Sequence, residues 1–261
     1  MTEILKAIIL GTLQGITEFL PISSTAHLIL FPWFFGWQGQ INTLTFDVAL
    51  HGGTLFALIL CFYRDWIEIF LKQKKLLFYI LIATIPAGVA GIIANDLIEN
   101  VLRNPLIIFL TLNLFGILML IAEKYYKKIS IPKDDLYQLT FWDSLFIGLA
   151  QSIALIPGVS RSGITISAGL FRNLNRETSA RFSFLLSTPV IAGATMLESK
   201  NLFSNIGSYS IDIFTVGFLS SFFSGFLVIK FLLRFFKKYS LNCFVYYRFL
   251  LAAIILIIYL T

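Results

Sequence analysis

Ile156-Pro157-Gly158-Val159-Ser160-Arg161-Ser162-Gly163 lies in the middle of an apolar segment spanning about 142–171. Pro removes a helical donor and Gly loosens the backbone, so a helix entering this stretch breaks and a second one begins after it. Basic residues flank the segment on both sides: Lys124, Lys127, Lys128 and Lys133 before it, Arg172, Arg176 and Arg181 after it. Such residues concentrate in the cytoplasmic loops of membrane proteins. Both flanks therefore lie on one side, and the segment enters and returns as a re-entrant hairpin instead of crossing.

The composition agrees with a chain solvated by lipid. Of 261 residues, 57% are hydrophobic and 13% charged, with a mean hydropathy of +0.85, whereas a soluble domain is about a quarter charged. The apolar runs are long enough for a hydrocarbon core of roughly 30 Å and do not alternate as barrel strands would. Met1-Thr2-Glu3-Ile4-Leu5-Lys6 lacks the basic region and small-residue cleavage pattern of a signal peptide, so the N-terminus reads as mature protein. Cys61 and Cys243 are too few and too distant for a disulfide framework or a Cys-based metal site. The net charge of +6 is divided among interhelical loops, which excludes a nucleic-acid surface.

Two more basic groups, Arg64/Lys72/Lys74/Lys75 and Arg234/Lys237/Lys238, also belong inside, while the polar stretches at 36–45, 95–104 and 199–211 hold only Arg103 and Lys200 as basic residues and belong outside. Crossings then fall at 46–63, 76–95, 105–123, 182–198, 212–233 and 244–260. The segment at 4–35 breaks at Leu20-Pro21-Ile22-Ser23-Ser24-Thr25 as the segment at 142–171 does. Gly11-Thr12-Leu13-Gln14-Gly15-Ile16 resembles Gly148-Leu149-Ala150-Gln151-Ser152-Ile153, a weak internal repeat. The expected fold is an all-α integral membrane protein of one domain, residues 1–261, with six spanning helices and two re-entrant helical hairpins. Its pseudo-repeats, 4–123 and 142–260, are inverted, and such repeats place a site where the breaks meet.

Gln14 and Glu18 are four apart on one helical face. Ser23, Ser24 and Thr25 suit the cap of the next half-helix, with His27 in its first turn; Ser160, Arg161, Ser162 and Thr165 take the corresponding places in the second hairpin. Two converging helix N-termini form a receptor for an anion, and Arg161 adds a fork suited to phosphate. Taken singly, Ser23, Thr25 and Ser162 also read as groups that satisfy backbone freed by the break. A purely structural ion pair of Glu18 with Arg161 has to bear about 2.5–3.5 kcal/mol for each charge near the bilayer centre. His51, in His51-Gly52-Gly53-Thr54, reads as packing or a gate, and Asp47 as part of a turn.

The stretch from Gln14 to His27 and the stretch from Pro157 to Thr165 resemble the two signatures of the undecaprenyl-diphosphate phosphatases associated with bacitracin resistance. Lesser similarities at Ile85-Pro86-Ala87, Phe182-Ser183-Phe184-Leu185-Leu186 and Tyr247-Arg248-Phe249 extend the resemblance over essentially the whole chain. It implies hydrolysis of a polyprenyl diphosphate lipid to undecaprenyl phosphate and inorganic phosphate in the bacterial cytoplasmic (inner) membrane, with the active site toward the periplasm. It also implies dependence on a divalent metal, Mg2+ or Ca2+. Glu18, Ser24, His27 and Arg161 become the expected catalytic residues, with Ser23, Thr25, Ser160, Ser162 and Thr165 around the phosphate and Glu18 and Gln14 at the metal. Ser24 activated by His27 and Glu18, or a water, is the attacking group; a second copy of the chain is carried as a partner. Many relatives have Glu where this chain has Gln14, whose amide oxygen ligates a hard cation but cannot act as a base. A polyprenyl-phosphate transporter or flippase of similar architecture is the alternative.

Overall fold

The computed structural model describes residues 1–100, 102–204 and 210–260, and their side chains over 1–94, 102–196 and 210–260. Eleven α-helices lie among the described residues: α1 Glu3–Thr17, α2 Ser24–Phe35, α3 Leu44–Cys61, α4 Tyr63–Leu71, α5 Lys74–Asn100, α6 Pro105–Tyr126, α7 Phe141–Ile153, α8 Arg161–Phe171, α9 Arg176–Ser204, α10 Ile211–Phe236 and α11 Asn242–Leu260. Five of them, α3, α5, α6, α10 and α11, are long and apolar enough to cross a membrane. Large apolar side chains such as Ile92, Leu114 and Leu227 stand exposed on them, as lipid-facing residues do. The crossing expected at 182–198 falls within α9. That helix is long enough at 29 residues but turns Ser183 and Ser187 into the core, so its composition is more polar.

Two connections differ from the expected loops. The basic stretch at 64–75 contains α4, whose Tyr63, Ile67, Phe70 and Leu71 form an exposed apolar face and whose Asp65 pairs with Arg181. The basic residues had hidden an amphipathic period. Helix α5 also continues to Asn100, beyond the crossing expected to end at 95. The side chain of Lys200, expected outside, is beyond the described residues.

Helices α1 and α2 are joined by a short turn, as are α7 and α8, and each pair returns to the end at which it began. Lys6 near the start of α1 lies 5.9 Å from the Trp37 ring just past α2. Lys133 N–H, before α7, donates to Asn173 O, after α8, at 2.7 Å, and Asn175 N–H returns to Lys133 O at 2.8 Å. Asp143, which closes a capping box with Thr140, binds Lys133 Nζ at 2.6 Å and Arg172 Nε at 2.7 Å. These bonds hold both ends of the α7–α8 pair together.

A single register relates the two halves. Ser24 and Arg161 open α2 and α8, Lys74 and Ile211 open α5 and α10, and Pro105 and Asn242 open α6 and α11. Positions 24 and 161, 74 and 211, 105 and 242 all differ by 137. Packing is exchanged between the halves: α1 lies on α10, α7 on α5, and α6 on α11. Lipid tails are as apolar as Leu, so helices associate through close backbone approach at small residues. A methyl at Gly11 would stand 2.9 Å from Ser220 Cβ, and one at Gly148 2.6 Å from Ala83 Cα. Both the glycines and their contacts differ by the same 137 positions.

Candidate active site

The site is built by the turns that separate α1 from α2 and α7 from α8. Ser23 and Ser160 are the N-caps of the second helices, both with φ 73°. Side chains other than Gly rarely adopt that conformation, at a cost of about 1–3 kcal/mol. Each hydroxyl offsets part of it by accepting a first-turn amide: Ala26 N–H for Ser23 at 3.4 Å and Gly163 N–H for Ser160 at 3.2 Å. The amides at the first helical position, those of Ser24 and Arg161, have no acceptor within their helices, and the residues that open both helices line one cavity.

The turns are fastened to each other. Gly158 N–H donates to Ser23 Oγ at 3.2 Å, and Ser162 Oγ–H to Leu20 O at 3.0 Å. Arg248 of α11, fully buried, spreads its five N–H donors over five main-chain carbonyls. Pro21, Gly158 and Val159 belong to the two turns; Thr111 and Leu112 belong to α6. The planar fork is suited to so many simultaneous acceptors.

Glu18 is the centre of the site. Its Oε1 pairs with Arg161 Nη2. Its Oε2 accepts Ser24 Oγ–H at 2.6 Å and Gln14 Nε2–H at 2.9 Å, with His51 Nδ1 at 3.6 Å. Arg161 is further held by Ser187 O at 3.4 Å. Breaking one side of such a buried pair leaves an uncompensated charge, which costs about 3–5 kcal/mol. A cavity of about 170 Å³ adjoins these groups, its lining including Glu18, Ser24, Thr25, His51, Ser160 and Arg161.

The structure thus brings Gln14, Glu18, Ser23, Ser24, Thr25, Ser160 and Arg161 together and sorts the rest differently from expectation. Ser162 is turned to the Leu20 carbonyl, and Thr165 Oγ1 donates to Arg161 O at 2.7 Å and meets Ser183 Oγ at 2.6 Å. Both hydroxyls satisfy the fold and do not line the cavity. His27 is 1% exposed; its Nδ1–H donates to Ser23 O and its Nε2 meets Tyr247 Oη, each at 2.7 Å. It stands behind the turn, so the hydrogen-bonded partner of Ser24 is Glu18 and not His27. His51, expected to pack or gate, faces the cavity. In the sequence Tyr247 and Arg248 stand out only as a minor similarity, although an arginine inside an apolar run is by itself a signal of function.

Among the described residues no three His, Cys, Asp or Glu side chains cluster as a metal cage. The donors present are hard oxygens: the Glu18 carboxylate, Ser24 Oγ and Gln14 Oε1, which is buried without a hydrogen-bond partner. That set fits Mg2+ or Ca2+ when substrate oxygens and water complete the shell, as is common for phosphate enzymes.

Residues 7–254 match the family described as bacitracin resistance protein BacA. Proteins named undecaprenyl-diphosphatase are similar throughout. That of Thermodesulfovibrio yellowstonii is 56% identical over 99% of this chain and 98% of its own. That of Moorella thermoacetica is 44% identical over 98% of each, and that of Caldicellulosiruptor bescii 43% identical over 98% and 97%. With a match of this extent laid over two capped turns that present a carboxylate, a hydroxyl and a guanidinium to one cavity, the chain belongs to the BacA family.

Proposed function

We propose that this chain is a membrane undecaprenyl-diphosphatase, which hydrolyses undecaprenyl diphosphate to undecaprenyl phosphate and inorganic phosphate and so recycles the carrier lipid for cell-wall synthesis. The observation that carries the reading is the division of Glu18: one oxygen neutralised by Arg161, the other accepting the proton of Ser24 at 2.6 Å. Phosphoryl transfer needs charge neutralisation and an in-line nucleophile. Arg161 and the first amides of α2 and α8 supply the first, and Ser24, with Glu18 as proton acceptor, supplies the second. His27, joined to Ser23 O and Tyr247, holds the turn in place. Mg2+ or Ca2+ would be held by Glu18 and Gln14 and would neutralise further phosphate charge.

The membrane arrangement we infer has six crossings, α9 included, and two re-entrant hairpins, α1–α2 and α7–α8. Its inverted pseudo-repeats are 4–123 and 142–260 within one domain. The common register and the exchanged packing support it. Basic connections put one end of the bundle in the cytoplasm of a bacterial inner membrane. The cavity lies beside the opposite half of α3 and opens toward the periplasm. Exchanged halves also suit a transporter or flippase of polyprenyl phosphate.

Phosphate release from undecaprenyl diphosphate by purified protein in detergent separates the two. Release is expected, abolished by a chelator and restored by Mg2+ or Ca2+; no release with either ion would sink the phosphatase reading. Single cysteines placed in 127–140 and in 172–175 should label from the same, cytoplasmic side, and labelling from opposite sides would remove the re-entrant hairpin.

A further inference from the structure

The walls of the cavity differ in what they offer a ligand. The two turns bring Glu18, Ser24, Ser160 and Arg161, whereas the wall from α9 consists of Val190, Ile191, Ala194 and Thr195. Their spacing, i, i+1, i+4 and i+5, is that of one helical face. Thr195 stands at the far end of that face, and among the described α9 residues on the cavity it alone has a polar side chain.

Its hydroxyl behaves unlike those of other helical threonines in the chain. Thr17, Thr84, Thr111 and Thr165 each return Oγ1–H to the carbonyl four residues back: to Leu13 O and Ile80 O at 2.8 Å, Ile107 O at 2.9 Å and Arg161 O at 2.7 Å. One of the two favoured threonine rotamers in a helix makes that bond. Thr195 does not make it, and its Oγ1 is buried without a hydrogen-bond partner. Ser144, Ser167, Ser179 and Thr188 also carry unpartnered hydroxyls, but none of them is among the residues lining the cavity. A buried donor left unsatisfied is unfavourable, so at the edge of a ligand cavity it calls for a ligand acceptor.

We propose that Thr195 is a substrate-binding residue, whose hydroxyl donates to an oxygen of the lipid-side phosphate, the group that stays on the lipid when the terminal phosphoryl departs. This rests on the phosphatase reading above. Arg161 Nη1 donates to Ser187 O at 3.4 Å, so the guanidinium, and through Glu18 the Ser24 hydroxyl, stand beside the Ser187 turn of α9. Thr195 is eight residues further on (187 to 195), about 12 Å along the helix axis at 1.5 Å per residue. The Ser187 carbonyl points forward along the helix and the Thr195 side chain leans back, which brings the two groups nearer than that. A terminal phosphate seated on Ser24 and Arg161 then has its lipid-side neighbour along the α9 face. A rotation about the Thr195 Cα–Cβ bond turns the hydroxyl to it, and Val190, Ile191 and Ala194 bring no competing polar side chain. No bond is made or broken at Thr195.

The test is steady-state phosphate release from undecaprenyl diphosphate for wild type, Thr195→Val and Thr195→Ser, with product inhibition by undecaprenyl phosphate and by inorganic phosphate measured for each. Folding is verified by gel filtration in detergent. Thr195→Val keeps the shape and removes the hydroxyl, so KM should rise by about tenfold. The lipid-side phosphate is held alike in ground and transition state, so kcat should change by less than about threefold. The inhibition constant of undecaprenyl phosphate should rise by about the same tenfold and that of inorganic phosphate by less than about twofold. Thr195→Ser keeps the donor and should stay near wild type. Thr195→Ala should shift the same constants as the valine variant and replaces it where valine does not fold. A folded Thr195→Val with wild-type KM would overturn the proposal. So would weakened inhibition by inorganic phosphate with undecaprenyl phosphate unaffected, which puts the hydroxyl on the transferred phosphate. Equal losses in Thr195→Ser and Thr195→Val would mark a packing role and overturn it as well. Wild type that releases no phosphate instead defeats the phosphatase reading itself, and the substrate contact with it.

Discussion

Ser23 and Ser160 share a φ of 73° and cap equivalent half-helices, yet the next residue is a serine in the first turn and an arginine in the second. The same division runs through the flanking helices. Gln14 and Gln151 are 137 positions apart, both buried, each with an Oε1 lacking a partner, but only Gln14 has an acid one turn on. Glu18 corresponds to Leu155. Matched backbone here supplies two helix ends at one cavity, while the side chains differ: on the proposed function one turn gives the base and nucleophile and the other the cation. A fully symmetric pair would bring like charges together at the cavity, a repulsion that the present pairing of Glu18 with Arg161 does not have.

The strongest way to break this comparison is to alter the charged group of each turn. Glu18→Gln keeps size and one hydrogen-bonding oxygen but loses the negative charge, so turnover should fall by about 10²–10⁴-fold. Arg161→Lys keeps the charge but cannot span Glu18 and Ser187 O as the fork does, and a loss of about 10²-fold is expected. Both variants should still elute as folded protein. A folded Glu18→Gln with wild-type turnover and metal dependence would move the active site away from these turns.

A smaller effect separates the two glutamines. Gln14→Glu places a carboxylate beside Glu18 at a spot suited to a divalent cation. It should fold and turn over in Mg2+ and lose thermal stability when metal is chelated. Gln151 sits near Ala83 O at 3.4 Å, with no cation among the described residues paired to it, so Gln151→Glu should destabilise by about 3–5 kcal/mol whether or not metal is present. Thermal unfolding in detergent with and without chelator decides it. Equal metal dependence in both variants would mean that the halves are chemically interchangeable at this level.

The part of the fold and site legible in the sequence is the part with a steep energetic signature. Pro21 and Pro157 mark breaks because they delete donors, Glu18 and Arg161 stand out because charge is expensive in lipid, and the basic loops order the helices. His51 could not be assigned, because its neighbour Glu18 is 33 positions away and their meeting depends on how α1 packs on α3. The hydroxyls of Ser162 and Thr165 pointed to phosphate by position alone. Whether a hydroxyl faces a ligand or a nearby carbonyl is set by its rotamer and by the opposite turn, neither of which is local. Arg248 did carry a legible signal, a charge within the apolar run of α11, but its role as a clamp on both turns needs all four contributing segments in place.

The finest test of the comparison concerns the two caps. Ser160→Ala keeps the unfavourable φ and loses the hydroxyl that accepts Gly163 N–H, so it should destabilise by about 1 kcal/mol. In Ser160→Gly the strain of about 1–3 kcal/mol is relieved. Against this stand a cap loss of a few tenths and an extra unfolded-state entropy of about 0.5–1 kcal/mol. Stability should therefore be at or slightly above wild type. Ser23→Gly gains the same relief, but its hydroxyl also accepts Gly158 N–H across the interface. Orphaning that buried amide costs about 1–3 kcal/mol, so Ser23→Gly should be the less stable of the two glycine variants. The order expected from thermal unfolding in detergent is Ser160→Gly above both Ser23→Gly and Ser160→Ala. If Ser160→Gly fell as far as Ser160→Ala, the positive φ would not be a source of strain, and the matched backbone of the two turns would rest on the hydroxyl contacts alone.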